Sequence, residues 1–328
     1  MKWVLRILGV LLALAVLAFV VFRTPDTDPA EMRAKYGGEP SQFVELPNGM
    51  TVHLRDEGPR DAMPIILLHG SNADLHTWQP WAEALRSEYR VIRYDQRGHG
   101  LTGPALDDDY TLAGFTADVG QVADALDLEQ FVLGGNSMGG WISAGYALEN
   151  EDRLAGLMLV DSSGAPVERE GSLPIGFRIA QTPVLRDLAK HFMPRSIFAN
   201  SLPQSVSNQE VVTDAEIDRY WELARFPGNR DATMKRFSTP RVTYTAEQIS
   251  ALDLPTLVMW GEEDSLTSVA GAHWYAEQLP SNTLVIYEGI GHLPQQETAE
   301  QSAADILTWL GTIAASALKE DSGSQPVG

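Results

Sequence analysis

A serine with a glycine two residues to either side, in Gly135-Asn136-Ser137-Met138-Gly139, is the residue best suited to covalent chemistry. The apolar run 131–133 before it is typical of a buried strand, and apolar residues over 141–148 recur at helical spacing after it. A serine at such a strand-to-helix turn is held in a sparsely populated backbone conformation, with its hydroxyl pushed out of the sheet edge. The turn also aims the backbone N–H of Met138 toward the point where negative charge would develop. The pattern predicts that Ser137 is a nucleophile.

A serine hydroxyl is a weak nucleophile near neutral pH, so Ser137 requires a base. His292 lies in the glycine-containing loop Glu288–Pro294, directly after a strand-like run at 283–287. Because the carboxyl ends of parallel strands meet at one edge of a sheet, this loop is expected beside Ser137. The other six histidines do not follow a late strand. The sequence therefore predicts that His292 is the base.

The elements around these residues alternate between strand and helix, which predicts a doubly wound parallel sheet. The chain begins this pattern with a hairpin, because Pro47-Asn48-Gly49 joins two strand-like runs. Further strand-like runs occur at 65–68, 90–94, 131–133, 154–160, 256–260 and 283–287. From Ser162 to about Thr239 no strand-like run occurs, and short amphipathic pieces predict a helical cap over the sheet edge.

Five motifs carry a family resemblance: HGSN at 69–72, DQRGHG at 95–100, GNSMGG at 135–140, WGEED at 260–264 and GIGHLP at 289–294. They resemble the α/β-hydrolase family over about residues 42–315. The resemblance implies an α/β fold with a mostly parallel sheet of about eight strands and a helical cap insertion. It also implies a catalytic triad in the chain order Ser, Asp or Glu, His.

The resemblance assigns roles to further residues around Ser137. Asp264 matches the family's acid position, and Asp161, at the end of an earlier strand, is the alternative acid. The backbone N–H groups of Ser71 and Met138 would form the oxyanion hole. The Ser71 hydroxyl either adds to that hole or fills space.

Other polar residues in the motifs are expected to be structural. His69 would tie down the loop before Ser71, Arg97 would pair with an acid, and His99 would take no part in catalysis. Trp78 is expected either at the mouth of the pocket or in the core.

The motifs favour a serine esterase that works through an acyl-enzyme intermediate. GNSMGG also resembles the carbon–carbon bond hydrolases of ring-cleavage diketones, but those enzymes carry a tryptophan where this chain has Leu293. They also have a cap arginine directly before a Trp-Glu pair, whereas here Arg219 is one residue further from Trp221. A cofactor-free perhydrolase or haloperoxidase and a non-catalytic ligand-binding protein are further alternatives.

The N-terminus carries an apolar segment, with 16 consecutive uncharged residues from Ile7 to Phe22. Lys2 and Arg6 precede it, and no small-x-small motif ends it, which favours an uncleaved anchor over a cleaved signal peptide. The expected location is therefore a membrane-anchored, exported catalytic domain, with secretion after cleavage as the alternative. The predicted organisation is 1–23 anchor or signal, 24–40 linker, 41–161 core, 162–240 cap, 241–318 core and 319–328 disordered tail.

The amino-acid composition of the chain argues against several classes of partner and site. The net charge of −20 argues against a nucleic-acid partner, which would require clustered Lys and Arg. The absence of cysteine excludes disulfides and thiolate metal sites. No cofactor and no metal are expected, since no His/carboxylate cluster has ligand spacing in the sequence. The expected partners are a small-molecule ester and the membrane.

Overall fold

Eight strands form one sheet in the computed structural model, which describes residues 2–167, 179 and 181–323. The strands are β1 (Ser41–Glu45), β2 (Thr51–Glu57), β3 (Pro64–Leu68), β4 (Arg90–Tyr94), β5 (Phe131–Asn136), β6 (Leu154–Val160), β7 (Thr256–Gly261) and β8 (Asn282–Tyr287). Their order across the sheet is β1-β2-β4-β3-β5-β6-β7-β8. β2 pairs antiparallel with β1 and β4, and every other neighbouring pair is parallel. The predicted α/β fold with about eight mostly parallel strands is confirmed.

The α-helices of the described residues lie on both faces of the sheet, in the predicted cap and, for the first two, ahead of the first strand. They are α1 (Lys2–Phe22), α2 (Pro29–Tyr36), α3 (Gln79–Leu85), α4 (Leu112–Ala125), α5 (Met138–Asn150), α6 (Pro183–Ala189), α7 (Ser196–Ser201), α8 (Asp214–Ala224), α9 (Asn229–Ser238), α10 (Ala246–Ser250), α11 (Ala270–Gln278), α12 (Pro294–Glu297) and α13 (Ala299–Gly323).

The central strands read as unbroken apolar runs because each of their faces is buried against helices. In β3, Ile65 and Leu67 belong to one core cluster, whereas Ile66 and Leu68 belong to the other. This division follows from the two-residue period of a strand, which sends alternate side chains to opposite faces. Trp78 is fully buried in the first of these clusters and is therefore a core residue.

The region predicted as a cap holds helices α6 to α9, and no strand is found in the part of 162–240 that the structure describes. Residues 168–178 and 180 of the predicted cap lie outside the described residues. Two small apolar clusters join the cap to the core. Phe226 of the cap packs with Leu101, and Ile217 and Tyr220 pack with Ala73.

The N-terminal region contains two helices. α1 is 21 residues long, and among the described residues it is the one helix long and apolar enough to cross a membrane. The segment 24–40, expected to be a linker, contains α2. Asp28 caps α2 by accepting hydrogen bonds from the N–H groups of Ala30 and Glu31, and Pro29 suits the first helical turn. At the other terminus α13 runs to Gly323, five residues into the predicted tail, and 324–328 lie outside the described residues.

Candidate active site

Ser137 occupies the turn between β5 and α5 in a strained conformation, with φ 56° and ψ −114°. A positive φ is uncommon for a residue with a side chain, and it persists only where the surroundings impose it. Here the Ser137 N–H donates to the Val160 carbonyl at 2.9 Å, and its carbonyl accepts from the Ser163 N–H at 3.0 Å. Both partners belong to the end of the neighbouring strand β6 and the loop after it. The sheet itself therefore holds the serine in the conformation expected of a nucleophile turn.

The two glycines of the motif are required by close packing of backbone. A Cβ on Gly139 would lie 2.0 Å from the Leu68 carbonyl oxygen at the end of β3. A Cβ on Gly135 would lie 2.2 Å from the carbonyl carbon of Gly139. Neither neighbour can move, because both are main-chain atoms of the sheet and the turn.

We expect Gly139→Ala to lower the free energy of unfolding by roughly 2–4 kcal/mol, because the added methyl group overlaps the β3 backbone. Gly120→Ala is the matched control, since a Cβ there meets only the Tyr146 ring, at 3.8 Å. Gly120 lies inside α4, so alanine is expected to stabilise the fold by about 0.5–1 kcal/mol. Thermal unfolding of the two variants measures the difference. Equal stability for both would contradict this account of the turn.

His292 and Asp264 form a buried pair. The His292 Nδ1 lies 2.6 Å from the Asp264 Oδ2, and the two residues are only 6% and 8% exposed. The other carboxylate oxygen, Oδ1, accepts from the N–H groups of Leu266 at 2.7 Å and Thr267 at 3.1 Å. Burial acts to raise the pKa of Asp264, but His292 and the hydrogen bonds around the carboxylate outweigh it and lower that pKa below its usual value. Asp264 is thus ionised and oriented to hold His292 with Nδ1 as donor.

Asn136, which the sequence pattern did not single out, connects the serine turn to the histidine loop. Its side-chain Nδ2 donates to the carbonyl of His292 at 3.0 Å and to that of Val160 at 3.3 Å. Asn136 is the last residue of β5 and directly precedes Ser137. The position of the histidine loop is therefore fixed relative to the serine by one buried amide.

Glu297 is a second residue that sequence reasoning missed. Its carboxylate accepts from the N–H groups that flank the histidine, at Gly291 (3.1 Å) and Leu293 (3.0 Å). It also accepts from the N–H of Ser207 in the cap, at 2.7 Å. Glu297 is 7% exposed, so these bonds replace the water that a carboxylate would otherwise require. The only sequence signal was a glutamate five residues after His292, at the start of the last helical region.

The loop after β3, expected to supply one oxyanion donor, lies against the serine turn. A Cβ on Gly70 would be 3.3 Å from the Ser137 Cβ. His69 holds this loop, since its Nδ1 donates to the Gly70 carbonyl at 2.8 Å and its Nε2 accepts from the Gln96 N–H at 3.1 Å. Burial lowers the pKa of His69, so it is neutral, as an Nδ1–H tautomer requires. These contacts confirm the structural role expected for His69.

Arg97 has the acidic partner that was expected. Its guanidinium makes two bonds of 2.6 Å to the carboxylate of Asp118 on α4. Paired bonds of this kind fix a side chain in orientation as well as position.

Arg236, from cap helix α9, contacts the loop after β3 that lies beside Ser137. Its Nη2 donates to the Asn72 Oδ1 at 2.6 Å and to the Ser71 Oγ at 3.2 Å, and its Nη1 contacts the ring of His99. Arg236 is 2% exposed, and none of these partners is a carboxylate. Burial, together with the charge of Arg241, lowers the pKa of Arg236 to about 9. Burial and Arg236 also lower the pKa of His99 well below its usual value, so His99 is a neutral acceptor.

Asp161, the alternative acid, lies at the same end of the sheet as Asp264. Ligand atoms of Asp161, Asp264 and His292 all lie within 4.8 Å of one another. The Asp161 Oδ1 accepts from the Gly261 N–H at 3.0 Å, whereas its buried Oδ2 has no hydrogen-bond partner. Burial and the nearby charge of Asp264 raise the pKa of Asp161 well above its usual value. Asp161 therefore holds its proton more strongly than an ordinary carboxyl, and Asp264 is the carboxylate bonded to the histidine.

This group of three is also the one His/carboxylate cluster with metal-ligand spacing among the described residues. The Asp264 Oδ2 already bonds the histidine Nδ1, and the raised pKa of Asp161 makes it a poorer ligand for a cation, which requires an ionised carboxylate. The residues present fit a proton-transfer pair better than a metal site.

Arg219, the displaced cap arginine, is buried and points toward the core domain. Its Nε bonds the Asp74 Oδ2 at 3.1 Å, and its two terminal nitrogens bond the carboxylate of Glu216. Asp74 is itself bonded to His76 at 2.7 Å. The carboxylates of Asp74 and Glu216 therefore accept hydrogen bonds from all three nitrogens of the Arg219 guanidinium.

A family model described as the alpha/beta hydrolase fold matches residues 63–299. The chain belongs to this family. The match spans the serine turn, the acid and the histidine loop, together with the cap between them.

Relatives within the family catalyse different reactions. The chain is 30% identical to a non-heme chloroperoxidase of Streptomyces lividans, over 76% of this chain and 92% of that protein. It is 26% identical to a 2-hydroxymuconate semialdehyde hydrolase of Pseudomonas putida, over 79% of this chain and 90% of that protein. Among solved structures, a bacterial membrane phospholipase A is 25% identical, with a TM-score of 0.73, and the alignment covers 96% of this chain and 99% of that one.

Proposed function

We propose that this alpha/beta hydrolase cleaves carboxylic esters with a Ser137–His292–Asp264 triad. The observation that carries the proposal is the buried pair of His292 and Asp264, joined at 2.6 Å, together with the hydrogen bond by which Asn136 ties the His292 loop to the strained serine turn. An ionised carboxylate at Nδ1 leaves Nε2 of the imidazole free to accept the serine proton.

In the proposed reaction the Ser137 oxygen attacks the ester carbonyl while His292 takes its proton. The backbone N–H groups of Ser71 and Met138 would hold the oxyanion of the tetrahedral intermediate. When the intermediate collapses, His292 returns the proton to the leaving alcohol and the acyl group stays on Ser137. A water molecule, deprotonated by the same histidine, then releases the acid.

The membrane is part of the proposal. We infer that α1 anchors the protein and that the catalytic domain is exported, since Lys2 and Arg6 precede the apolar segment and acidic residues follow it. The membrane phospholipase A supports this inference because its alignment covers 96% of this chain and therefore extends into α1. The substrate class that follows is an ester with an apolar acyl group.

A carbon–carbon bond hydrolase is the rival reaction, favoured by the 2-hydroxymuconate semialdehyde relative. Two features of the site oppose it. The charge of Arg219 is balanced by Asp74 and Glu216, whose carboxylates occupy its guanidinium in place of a substrate carboxylate. In addition, Leu293 follows the histidine where the carbon–carbon bond hydrolases have a tryptophan. A perhydrolase or haloperoxidase would use the same triad, in line with the chloroperoxidase relative. A non-catalytic binding protein would have no need of the triad.

The test is an activity profile of the full chain in detergent, with p-nitrophenyl esters of graded acyl length beside a ring-cleavage diketone. We expect ester hydrolysis and covalent labelling of Ser137 by a fluorophosphonate, located by mass spectrometry. Faster turnover of the diketone than of every ester would overturn the esterase proposal. Absence of both turnover and labelling would favour the binding protein.

Arg236 provides a further test of the proposed oxyanion hole. Because the Ser71 Oγ accepts a hydrogen bond from Arg236, its own proton is free for donation to the oxyanion. We expect Arg236→Met to lower kcat by about 10- to 100-fold with little change in KM, because charge stabilisation in the transition state is lost. Ser71→Ala should lower kcat as well, and the double variant should be no worse than the more impaired single variant. Additive losses would contradict an action of Arg236 through Ser71.

A further inference from the structure

The end of α1 is bound directly to the cap. The Phe19 ring lies 5.5 Å, between ring centroids, from each of the rings of His191 and Phe192. Just beyond α1, the Thr24 N–H donates to the His191 carbonyl at 2.8 Å, and the Thr24 Oγ1 accepts from the Met193 N–H at 3.1 Å. The cap segment 191–193 therefore packs against the last turn of α1 and the residues that follow it.

The chain after α1 is also held along the cap and does not act as a free tether. Arg230 of α9 bonds the Thr24 carbonyl and makes an ion pair with Asp26 at 2.6 Å. The Thr27 N–H donates to the Arg225 carbonyl at 3.0 Å, and Met32 of α2 is buried among cap and core side chains. The orientation of the cap relative to α1 is thus fixed by a series of contacts.

Helix α6, which ends two residues before His191, exposes an apolar face. Val184 is 71% exposed, Leu185 50% and Leu188 49%. We call these three residues the α6 face. Val184 and Leu188 are one helical turn apart, so their side chains lie on the same side of the helix. Exposed apolar residues gathered on one short helix are a candidate contact with another apolar phase.

The bilayer that receives α1 is the partner this face fits. The apolar side chains of α1 are exposed along its length, including Val20, Val21 and Phe22 at the end that meets the cap. Because Phe19 contacts His191 and Phe192 in the turn directly after α6, the α6 face lies near the end of α1. An amphipathic helix beside a membrane span lies in the interface with its apolar side toward the acyl chains.

Helix α9 connects this membrane side to the nucleophile. Arg230 in its first turn touches the segment that leaves α1, and Arg236 near its end touches Ser71 beside the serine turn. Six residues of α-helix separate the two arginines, a rise of about 9 Å. The candidate active site is therefore within reach of a lipid that is only partly withdrawn from the bilayer.

We propose that the α6 face lies in the interface of the bilayer that holds α1, and that the substrates are acyl esters of lipids drawn from that bilayer. This inference rests on the proposed ester hydrolysis. It adds the source of the substrate and the surface that delivers it.

The first test compares two substrates for the full chain reconstituted in vesicles of phosphatidylethanolamine and phosphatidylglycerol at 3:1. One assay follows release of fatty acid from the vesicle lipid, and the other follows hydrolysis of water-soluble p-nitrophenyl butyrate. The variant carries Val184→Asp, Leu185→Asp and Leu188→Asp together. Met63→Asp is the control. Met63 is 38% exposed and directly precedes β3, so it lies at the amino ends of the parallel strands, away from the candidate site at their carboxyl ends.

The α6 variant is expected to release fatty acid at least tenfold more slowly than wild type, with butyrate hydrolysis within twofold, and Met63→Asp should change neither rate. Wild-type lipid turnover by the α6 variant would overturn the role of the face. Wild-type hydrolysis of butyrate without any release from lipid would overturn the lipid substrate but leave the esterase proposal standing. Absence of both activities in wild type would overturn the esterase proposal itself.

A second test locates the face without reference to activity. The chain has no cysteine, so Leu188→Cys creates a single labelling position for an environment-sensitive fluorophore. In vesicles, brominated lipids should quench the label at 188 and leave a label at Met63→Cys unchanged. A shielded label at 188 that bromine does not quench, together with disulfide-linked dimers of the unlabelled Leu188→Cys variant under oxidation, would mean that a second copy of the chain covers the face, and would overturn the proposal.

Discussion

Ser137→Ala is expected to lower kcat/KM for p-nitrophenyl esters by about 10⁴-fold or more, since no acyl-enzyme can form without the hydroxyl. The fold should be retained. Alanine is smaller than serine, and the strained turn is held by backbone bonds to Val160 and Ser163 that the substitution leaves intact. Thermal unfolding is therefore expected within about 0.5 kcal/mol of wild type. The fluorophosphonate label should disappear at the same time.

Ser143→Ala is the matched control for this loss. Ser143 lies on α5, six residues after the nucleophile, and its buried hydroxyl donates to the Gly139 carbonyl at 2.8 Å. Its removal deletes one intrahelical bond near the turn but no reacting atom, so activity should stay close to wild type. If Ser137→Ala kept activity within tenfold of Ser143→Ala, the nucleophile would have to be another residue.

The parts of the site that the sequence predicted are those whose geometry follows from local chain conformation. A strand, a tight turn and a helix determine where Ser137 points, and a loop after the last strand determines the sheet edge at which His292 lies. Asn136 could not be found this way. Its function is a hydrogen bond to a carbonyl 156 residues away, and no pattern in one sequence records that contact.

The cap was the least predictable region because its helices are short and depend on contacts with distant segments. Arg236 lies in a largely polar stretch of sequence, which suggests an exposed side chain. In the structure it is buried against Ser71 and Asn72. The one-residue shift of Arg219 left the direction of its side chain open, and Asp74, on the core side, draws it inward. The helix α2 was missed for the same reason, since its single buried residue, Met32, packs on cap and core residues rather than within its own segment.

Asp264→Asn is expected to lower kcat by about 10³- to 10⁴-fold, the second largest effect. An asparagine cannot stabilise the imidazolium that forms during catalysis, and its amide favours the wrong histidine tautomer. Asp161→Asn should cost far less, because the raised pKa of Asp161 favours its neutral form and asparagine can still accept the Gly261 N–H. The ratio of the two losses in kcat, measured with one ester, distinguishes the two carboxylates.

The double variant extends this comparison. Once Asp264 is neutral, burial still raises the pKa of Asp161 but the repulsion from Asp264 is removed, so Asp161 ionises more easily and is near enough to His292 to act as a weak substitute. The double variant should therefore be less active than Asp264→Asn alone. If instead Asp161→Asn alone produced the larger loss, the acid of the triad would be Asp161.

We expect Asp161 and Asp264 to affect the pH dependence of the free energy of unfolding in opposite directions. The pKa of Asp161 is raised by burial and by Asp264, so the folded state keeps a proton that the unfolded chain loses above about pH 4. The free energy of unfolding then falls by about 1.4 kcal/mol per pH unit as the pH rises from there toward the folded pKa. Asp161→Asn removes this fall, so the variant should be more stable than wild type at pH 7 and nearly equal to it at pH 4.

Asp264 contributes with the other sign, because its pKa is lowered in the folded state. Its stabilisation is present above about pH 4 and is lost as the pH falls through the folded pKa. Asp264→Asn should therefore be less stable than wild type at pH 7, with the difference shrinking in acid. Thermal unfolding of wild type and both variants in one detergent, from pH 4 to pH 8, measures the two trends. If the stability of the two variants relative to wild type changed with pH in the same direction, the opposite pKa shifts of Asp161 and Asp264 would be contradicted.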